Sequence, residues 1–243
     1  MVEWVVTTFL ACIVMGCVTV TEQENGSKNN NVAAADARIE LGLGYLDAGN
    51  RLKARENLEL AIKYAPKYYR TLNSIAYYYQ LVGENNLAEQ TYKKAMRESP
   101  KNSEVLNNYG AFLCRLGQYE KADDFFTRAI EQPNNYQVID SLENAAICSL
   151  KSGNRAEAEH YFTRSLEYDP ERYFSLIQLS KLNSENGNYN DARIRLIKFH
   201  DRFGYQPSSL RLLIKLEEKA GNKELANKYA KILAARYPNS TIN

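Results

Sequence analysis

The sequence predicts an all-α fold, a solenoid of six helix pairs, and three periodic features lead to this prediction. Glycines recur at intervals of 34 or 36 residues, at Gly49, Gly83, Gly117, Gly153, Gly187 and Gly221. An alanine follows each glycine after five residues, at Ala54, Ala88, Ala122, Ala158, Ala192 and Ala226. Between these points apolar residues recur at steps of three and four, which is typical of amphipathic helices. Composition alone does not produce such fixed spacing, so we expect six copies of one structural unit.

The order of elements within a unit follows from the residues at its ends. In "EVLNNYGAFLCRLG" (104–117) the apolar side chains fall on one helical face. The closing glycine suits a left-handed C-terminal cap, so the first helix of the unit ends there. A proline such as Pro66 or Pro100 ends the second helix, because the residue before a proline is pushed out of the α region. Small residues at the eighth place, such as Gly42 and Gly110, let two helix backbones approach closely.

A period of 34 residues with this pattern resembles the tetratricopeptide repeat, which implies a right-handed superhelical solenoid. Counted from the periodic glycine at place fifteen, the units span 35–68, 69–102, 103–136, 139–172, 173–206 and 207–240. Two extra residues separate units three and four, near "QPNNYQ". The match weakens in units five and six, where Phe199 and Leu233 replace a small residue of the second helix. Terminal repeats are often atypical, because they cap the stack.

Side chains that carry catalysis or bind metals are sparse. The two histidines, His160 and His200, have no partner at a zinc-binding spacing. The motif "GLGY" (42–45) lacks the third glycine and the preceding strand of a nucleotide site. A net charge of +2, from 31 basic and 29 acidic residues, does not favour nucleic acid as a partner. We therefore expect no enzyme activity, no catalytic residue, no metal, no cofactor and no small-molecule substrate.

The N-terminal stretch "LACIVMGCVTV" (10–20) is apolar and is followed at once by the polar "TEQENGSKNNN". Within it "VMGC" resembles a bacterial lipobox, which predicts a lipoprotein signal peptide over residues 1–16 and lipidation of Cys17. Residues 17–34 are then an acylated cysteine and a flexible polar tether. The opening "MVEW" has no lysine or arginine, whereas signal peptides usually begin with one. An uncleaved membrane anchor and cleavage before Cys12 are the alternatives.

A stack of helix pairs has a concave face that is lined by the first helix of each pair and binds segments of partner proteins. In tetratricopeptide geometry, places 2, 5, 9, 12 and 13 of a unit point towards this face. The groove residues predicted in units two to four are Arg70, Asn73, Tyr77, Asn107, Arg115, Asp140, Glu143 and Lys151. The clamp of basic residues in chaperone-binding repeats is missing, because Ile39, Leu43 and Asp140 occupy its places. A cytosolic co-chaperone is therefore not favoured.

Blocks in the middle units resemble one family of lipoproteins. The segments "NNYGAFLCRLGQYEKADDFFTRAIEQP" (107–133) and "LENAAICSLKSGN" (142–154) resemble the type IV pilus biogenesis and stability lipoproteins of the PilF/PilW family. This resemblance implies a pilotin, a lipid-anchored outer-membrane protein that faces the periplasm. Such a protein binds the pilus secretin subunit, promotes its localisation and multimerisation, and so supports pilus formation and twitching motility. An envelope adaptor for outer-membrane protein insertion, or for activation of a cell-wall synthase, is the alternative.

Cys114 and Cys148 are the two thiols that remain free after the predicted processing. They occupy places 12 and 10 of the first helices of units three and four, which should lie side by side. Places 10 and 12 point about 200° apart on a helix, so one cysteine can face the other across the interface. An exported domain meets an oxidising compartment, and we therefore predict a disulfide. Two buried, unpaired cysteines are the alternative.

Overall fold

The structure, a computed structural model, describes residues 22–133 and 135–239, which form helices joined by short turns. The helices follow one another as α1 (Glu22–Asp47), α2 (Arg51–Tyr64), α3 (Tyr69–Val82), α4 (Asn85–Glu98), α5 (Ser103–Arg115), α6 (Tyr119–Ile130), α7 (Val138–Ser152), α8 (Arg155–Tyr168), α9 (Tyr173–Glu185), α10 (Tyr189–Phe203), α11 (Pro207–Lys219) and α12 (Lys223–Arg236). No strand is present in this part of the chain. The architecture is the all-α stack of six helix pairs that the sequence predicts.

Helix α1 is longer than the sequence predicts. It begins at Glu22, so residues 22–34 are helical instead of forming a flexible tether. Its C-terminal half is held by packed residues such as Ala35 and Ile39, which are 0% and 2% exposed. Adding residues to an existing helix is far easier than nucleating one, so the polar residues before Ala35 continue it. The predicted signal peptide and the residues up to 21 lie outside the described residues.

The turn within each pair depends on its periodic glycine. All six of these glycines have a positive φ, between 75° and 87°, which residues with a Cβ avoid. Gly83 and Gly153 are the C-caps of α3 and α7. The amide after the glycine bonds back into the first helix, as Asn154 does with the carbonyl of Ser149 at 2.8 Å. The predicted left-handed conformation of these glycines is confirmed.

Close approach of the two helices in a pair depends on the small residue at the eighth place. A Cβ added to Gly110 on α5 would come within 3.0 Å of the ring of Phe126 on α6. Phe126 is completely buried, and so are Leu58 on α2 and Phe162 on α8. Buried small residues occupy the eighth place in other units, namely Ala76, Ala146 and Ser180. A small residue on one helix thus receives a large apolar residue of its partner.

The two inserted residues between units three and four lie in the connection from α6 to α7. Asn135 organises this connection, because its side-chain amide donates to the carbonyl of Ala129 at 2.9 Å. Its side-chain oxygen accepts a hydrogen bond from the backbone amide of Gln137 at 2.9 Å. The loop is thereby closed on itself, and α7 still packs against α6.

Units five and six are held together by a core of their own and a buried ion pair. Phe199 and Leu233, which replace the expected small residue, are 2% and 1% exposed. Arg193 of α10 donates to Glu217 of α11 at 2.7 Å, and Glu217 has no exposed surface. Burial acts to raise the pKa of Glu217, but hydrogen bonds from Arg193 and Asn222 outweigh it and lower the pKa. The carboxylate therefore stays ionised at neutral pH.

Cys114 of α5 and Cys148 of α7 are paired across the interface between units three and four. Their Cα atoms lie 5.8 Å apart, within the range that a disulfide spans. Both residues are buried and belong to the core that runs from unit two to unit five. The structure therefore meets the geometric condition for the predicted disulfide.

We expect Gly42→Ala to destabilise the protein and Gly44→Ala, on the same helix, to stabilise it. A Cβ on Gly42 would lie 2.7 Å from Cγ of the buried Leu58, whereas nothing lies within 4 Å of a Cβ on Gly44. Overpacking at Gly42 costs about 1–3 kcal/mol. Replacing glycine by alanine at an exposed helical position contributes about 0.5–1 kcal/mol. Urea denaturation measures both shifts, and equal midpoints for the two variants would contradict the packing at the eighth place.

Thiol titration of the denatured protein, purified without reductant from the periplasm, tests the disulfide. We expect neither Cys114 nor Cys148 to react. Reduction should lower the free energy of unfolding by up to about 4 kcal/mol, because the bond joins residues 34 positions apart. The control is the double variant Cys114→Ser/Cys148→Ser, whose denaturation midpoint should not respond to reductant. Two reactive thiols in the untreated protein would refute the bond.

Candidate protein-binding groove

The first helices of the pairs lie next to one another on one side of the stack. Helix α3 contacts both α1 and α5, α5 also contacts α7, and α9 contacts α11. No comparable contact joins the second helices of neighbouring units in the described part of the chain. The side with the closer helices is the concave one. We use the term inner groove for the surface of α3, α5 and α7 that carries the eight predicted residues.

On α3, the inner groove presents an aromatic ring and an amide. The ring is that of Tyr77, which is 41% exposed. Asn73 is 3% exposed, yet neither its side-chain nitrogen nor its oxygen has a hydrogen-bond partner among the described residues. A buried amide left unpaired costs about 1–3 kcal/mol. Both polar atoms of the Asn73 amide are therefore buried without a hydrogen bond of normal geometry among the described residues.

Charged side chains occupy the second place of units one, two and three, at Asp36, Arg70 and Glu104. Arg70 is held by Asp36 of α1, with its Nη1 2.6 Å from the carboxylate Oδ1. Burial raises the pKa of Glu104 on α5, and the nearby Asn73 amide and Arg70 guanidinium oppose this only in part. The Asn73 amide lies near Glu104, but no hydrogen bond of normal geometry joins the two side chains. Arg70 is thus placed between two carboxylates and joins the first three units.

On α5, both groove residues have partners within the protein. The side-chain oxygen of Asn107 accepts a hydrogen bond from Asn144 of α7 at 3.1 Å, and Asn107 is buried. Arg115 is exposed and donates to the side-chain oxygen of Asn85, the first residue of α4, at 2.6 Å. Asn107 therefore contributes to the contact between α5 and α7 as well as lining the inner groove.

On α7, the two acidic groove residues bind Arg172, the residue before α9. Arg172 donates to Glu143 at 2.9 and 3.0 Å and to Asp140 at 2.5 Å. Glu143 also accepts a hydrogen bond from Ser175 at 2.7 Å. The hydrogen bond to Glu143 is the main reason that the pKa of Arg172 lies above its ordinary value. Asp140 and Glu143 thus join units four and five. Lys151, the third groove residue of α7, is exposed.

Sequence reasoning does not find three residues that shape this surface, namely Glu104, Asn144 and Arg172. Glu104 occupies the second place of unit three, so its register could have identified it. Asn144 and Arg172 lie at places that tetratricopeptide geometry does not assign to the concave face. Arg172 is 29 residues from Glu143, and the two side chains meet only when units four and five stack.

The described residues contain no group of three or more histidine, cysteine or acidic side chains arranged to hold a metal ion. Across 22–133 and 135–239, no helix is both long enough and apolar enough to cross a membrane. Cys17, the candidate for lipidation, lies outside these ranges, and its modification stays a prediction. The inner groove offers amide, aromatic and charged side chains, which suit contact with a polypeptide.

Comparison with known families matches three segments to the tetratricopeptide repeat. The matched residues are 69–102, 102–171 and 209–240. They contain the pairs α3–α4, α5–α6 and α7–α8, and all of the pair α11–α12 except the first two residues of α11. The predicted superhelical tetratricopeptide fold is therefore confirmed.

Relatives match nearly the whole chain. It is 31% identical over 232 residues to the type IV pilus assembly protein PilF of Pseudomonas aeruginosa, covering 95% of this chain and 92% of that protein. A solved structure of Pseudomonas aeruginosa PilF has a TM-score of 0.71 at 30% identity, covering 87% of this chain and 95% of the other. PilW, described as a widely conserved type IV pilus biogenesis factor, has a TM-score of 0.73 at 28% identity, covering 86% and 96%. This chain therefore belongs to the PilF/PilW family of tetratricopeptide-repeat proteins of type IV pilus biogenesis.

Proposed function

We propose that this protein is a pilotin of the type IV pilus system. It is an outer-membrane lipoprotein that faces the periplasm, binds the secretin, and promotes its outer-membrane localisation and multimerisation. It acts by holding a partner and not by catalysis. The observation that carries this proposal is the similarity to PilF over 95% of the chain. Similarity of that extent favours a shared stack of helix pairs, and so a shared surface for the partner.

The inner groove supplies the groups that would hold an extended segment of the secretin. The amide of Asn73, whose buried polar atoms have no partner among the described residues, would accept a backbone N–H and donate to a backbone carbonyl of the segment once side-chain movement exposes it. The exposed ring of Tyr77, one helical turn away, offers a flat apolar surface for a side chain. Because the surrounding charges on Arg70 and Glu143 are already paired within the protein, the Tyr77 ring is the main exposed apolar contact and the Asn73 amide is the buried group that lacks a partner.

We expect the double variant Asn73→Ala/Tyr77→Ala to bind the secretin about 5- to 30-fold more weakly, as for loss of an interface hot spot. The loss arises from the removed hydrogen bonds and ring contact and not from unfolding. Removing a buried, unpaired amide does not lower stability, so the thermal midpoint should be unchanged or higher. Titration with the periplasmic part of the secretin, followed by calorimetry, measures the affinity.

The matched control for this titration is Tyr168→Ala. Tyr168 is also an exposed tyrosine, at 56%, but it ends the second helix α8, away from the inner groove. Its loss should leave secretin affinity unchanged. Equal affinities for the groove variant and the control would rule out the inner groove as the secretin site.

Complementation of a strain that lacks this protein tests the lipid anchor and the pilotin role together. The unaltered gene should restore secretin multimers in the outer membrane and twitching motility. Cys17→Ser should fail to do so, because the protein is not acylated and an unprocessed precursor is left at the inner membrane. The control Cys12→Ser should complement fully. Palmitate incorporation into the Cys17→Ser protein would contradict the assigned site, and normal secretin multimers in the uncomplemented strain would contradict the function.

A further inference from the structure

The inner face of unit six differs in charge from that of every other unit. Places 5, 9 and 13 of α11 are occupied by Arg211, Lys215 and Lys219. At the same three places, each of the other first helices has at most one basic residue. The neighbouring helix α9 adds Lys181 at its own ninth place. Basic side chains are therefore concentrated where α9 and α11 lie together.

These side chains surround a shallow cavity of about 280 Å³ between α9 and α11. Lys181, Lys215 and Lys219 line it and are exposed. Ile177 and Leu212 also line it, and both are half-buried against the core of units five and six. The cavity thus has an apolar floor and a basic rim. We call this surface the basic inner face.

The lysines of the basic inner face have no carboxylate partner within the described residues. No ion pair among the described residues includes Lys181, Lys215 or Lys219. Glu185 is the one acidic residue among the described side chains that line the cavity. It is already paired with Arg155 of α8. The charges of these three lysines are therefore not neutralised by a carboxylate of the described residues.

The spacing of these cations opposes the stability of α11. Like charges four residues apart on a helix destabilise it, and Lys215 lies four residues from Lys219. The fold does not need this arrangement, because the units are already joined by their apolar core and by the Arg193–Glu217 pair. An anionic partner removes the repulsion, since each of its carboxylates neutralises one ammonium.

We propose that the basic inner face is a second binding surface, which takes an extended segment of a partner protein with an acidic residue at every second position. Side chains four apart on α11 are separated by about 6 Å along the helix axis. Alternate side chains of an extended peptide are separated by about 6.6 Å, so that consecutive acidic groups meet consecutive lysines.

This inference goes beyond the proposed function and does not depend on the secretin being the partner. It concerns units five and six, whereas the inner groove belongs to units two to four. The two proposals can therefore fail independently. Loss of secretin binding in the groove variant should leave peptide binding at the basic inner face unchanged, and substitutions in the basic inner face should leave secretin binding at the inner groove unchanged.

Fluorescence anisotropy with synthetic peptides tests the proposal. The probe is a labelled peptide in which glutamate alternates with leucine or alanine. The comparison peptide has the same composition with its glutamates in one block. We expect the alternating peptide to bind about fivefold more tightly or better, since only its register matches the lysines, and to weaken as salt is added. Tighter binding of the block peptide would overturn the proposed register.

The test variant is Lys181→Glu/Lys215→Glu/Lys219→Glu, and we expect it to bind the alternating peptide about tenfold more weakly or worse. The control, Lys223→Glu/Lys228→Glu/Lys231→Glu, makes the same change in net charge on exposed positions of α12 and should bind normally. If the reversed variant unfolds, the glutamine versions of the same three lysines replace it. Unchanged affinity in the folded variant, or tighter binding of single-stranded DNA or phosphatidylglycerol vesicles than of the peptide, would overturn the proposal.

Discussion

The contact between the two helices of a pair, where in units one to five a small residue receives a large apolar one, is the constraint on which the remaining structure depends. At Gly42 and Gly110 there is no room for a Cβ without moving Leu58 or Phe126. The resulting close approach aligns the first helices along one side of the stack. Each unit buries its apolar faces only against itself and its neighbours, so no unit is stable outside the array. The shape of the partner-facing surface therefore depends on the packing distance between the two helices of a pair. No partner contacts this packing itself.

Polar side chains on this surface divide into two kinds. Glu143 and Arg172 satisfy each other and join units four and five, so their burial contributes to the stack. Asn73 is 3% exposed but has no hydrogen-bond partner in the described residues. Native proteins rarely leave a buried amide unpaired, because the lost hydrogen bonds with water are not recovered. Such a residue suits a surface that is completed by another chain.

The two proposed surfaces differ in chemistry and lie on one continuous stack. The inner groove offers an amide and an aromatic ring, whereas the basic inner face offers uncompensated charge over an apolar floor. Two linked sites hold a partner more tightly than either alone, because the second contact forms at a high effective concentration. This arrangement suits the proposed role of holding a secretin subunit during its localisation and assembly.

The period of the glycines and alanines was sufficient to predict the helix pairs, their turns and their number, because these depend on contacts within one unit of about 34 residues. The pairing of Cys114 with Cys148 was also accessible, since it follows from the register of adjacent units. The extension of α1 to Glu22 and the ion pair between Arg172 and Glu143 could not be predicted from the sequence. Both depend on neighbouring elements that are already packed: a helix grows from its packed part, and an ion pair forms between units only where stacking brings its charges together. Local periodicity carries no information on such contacts.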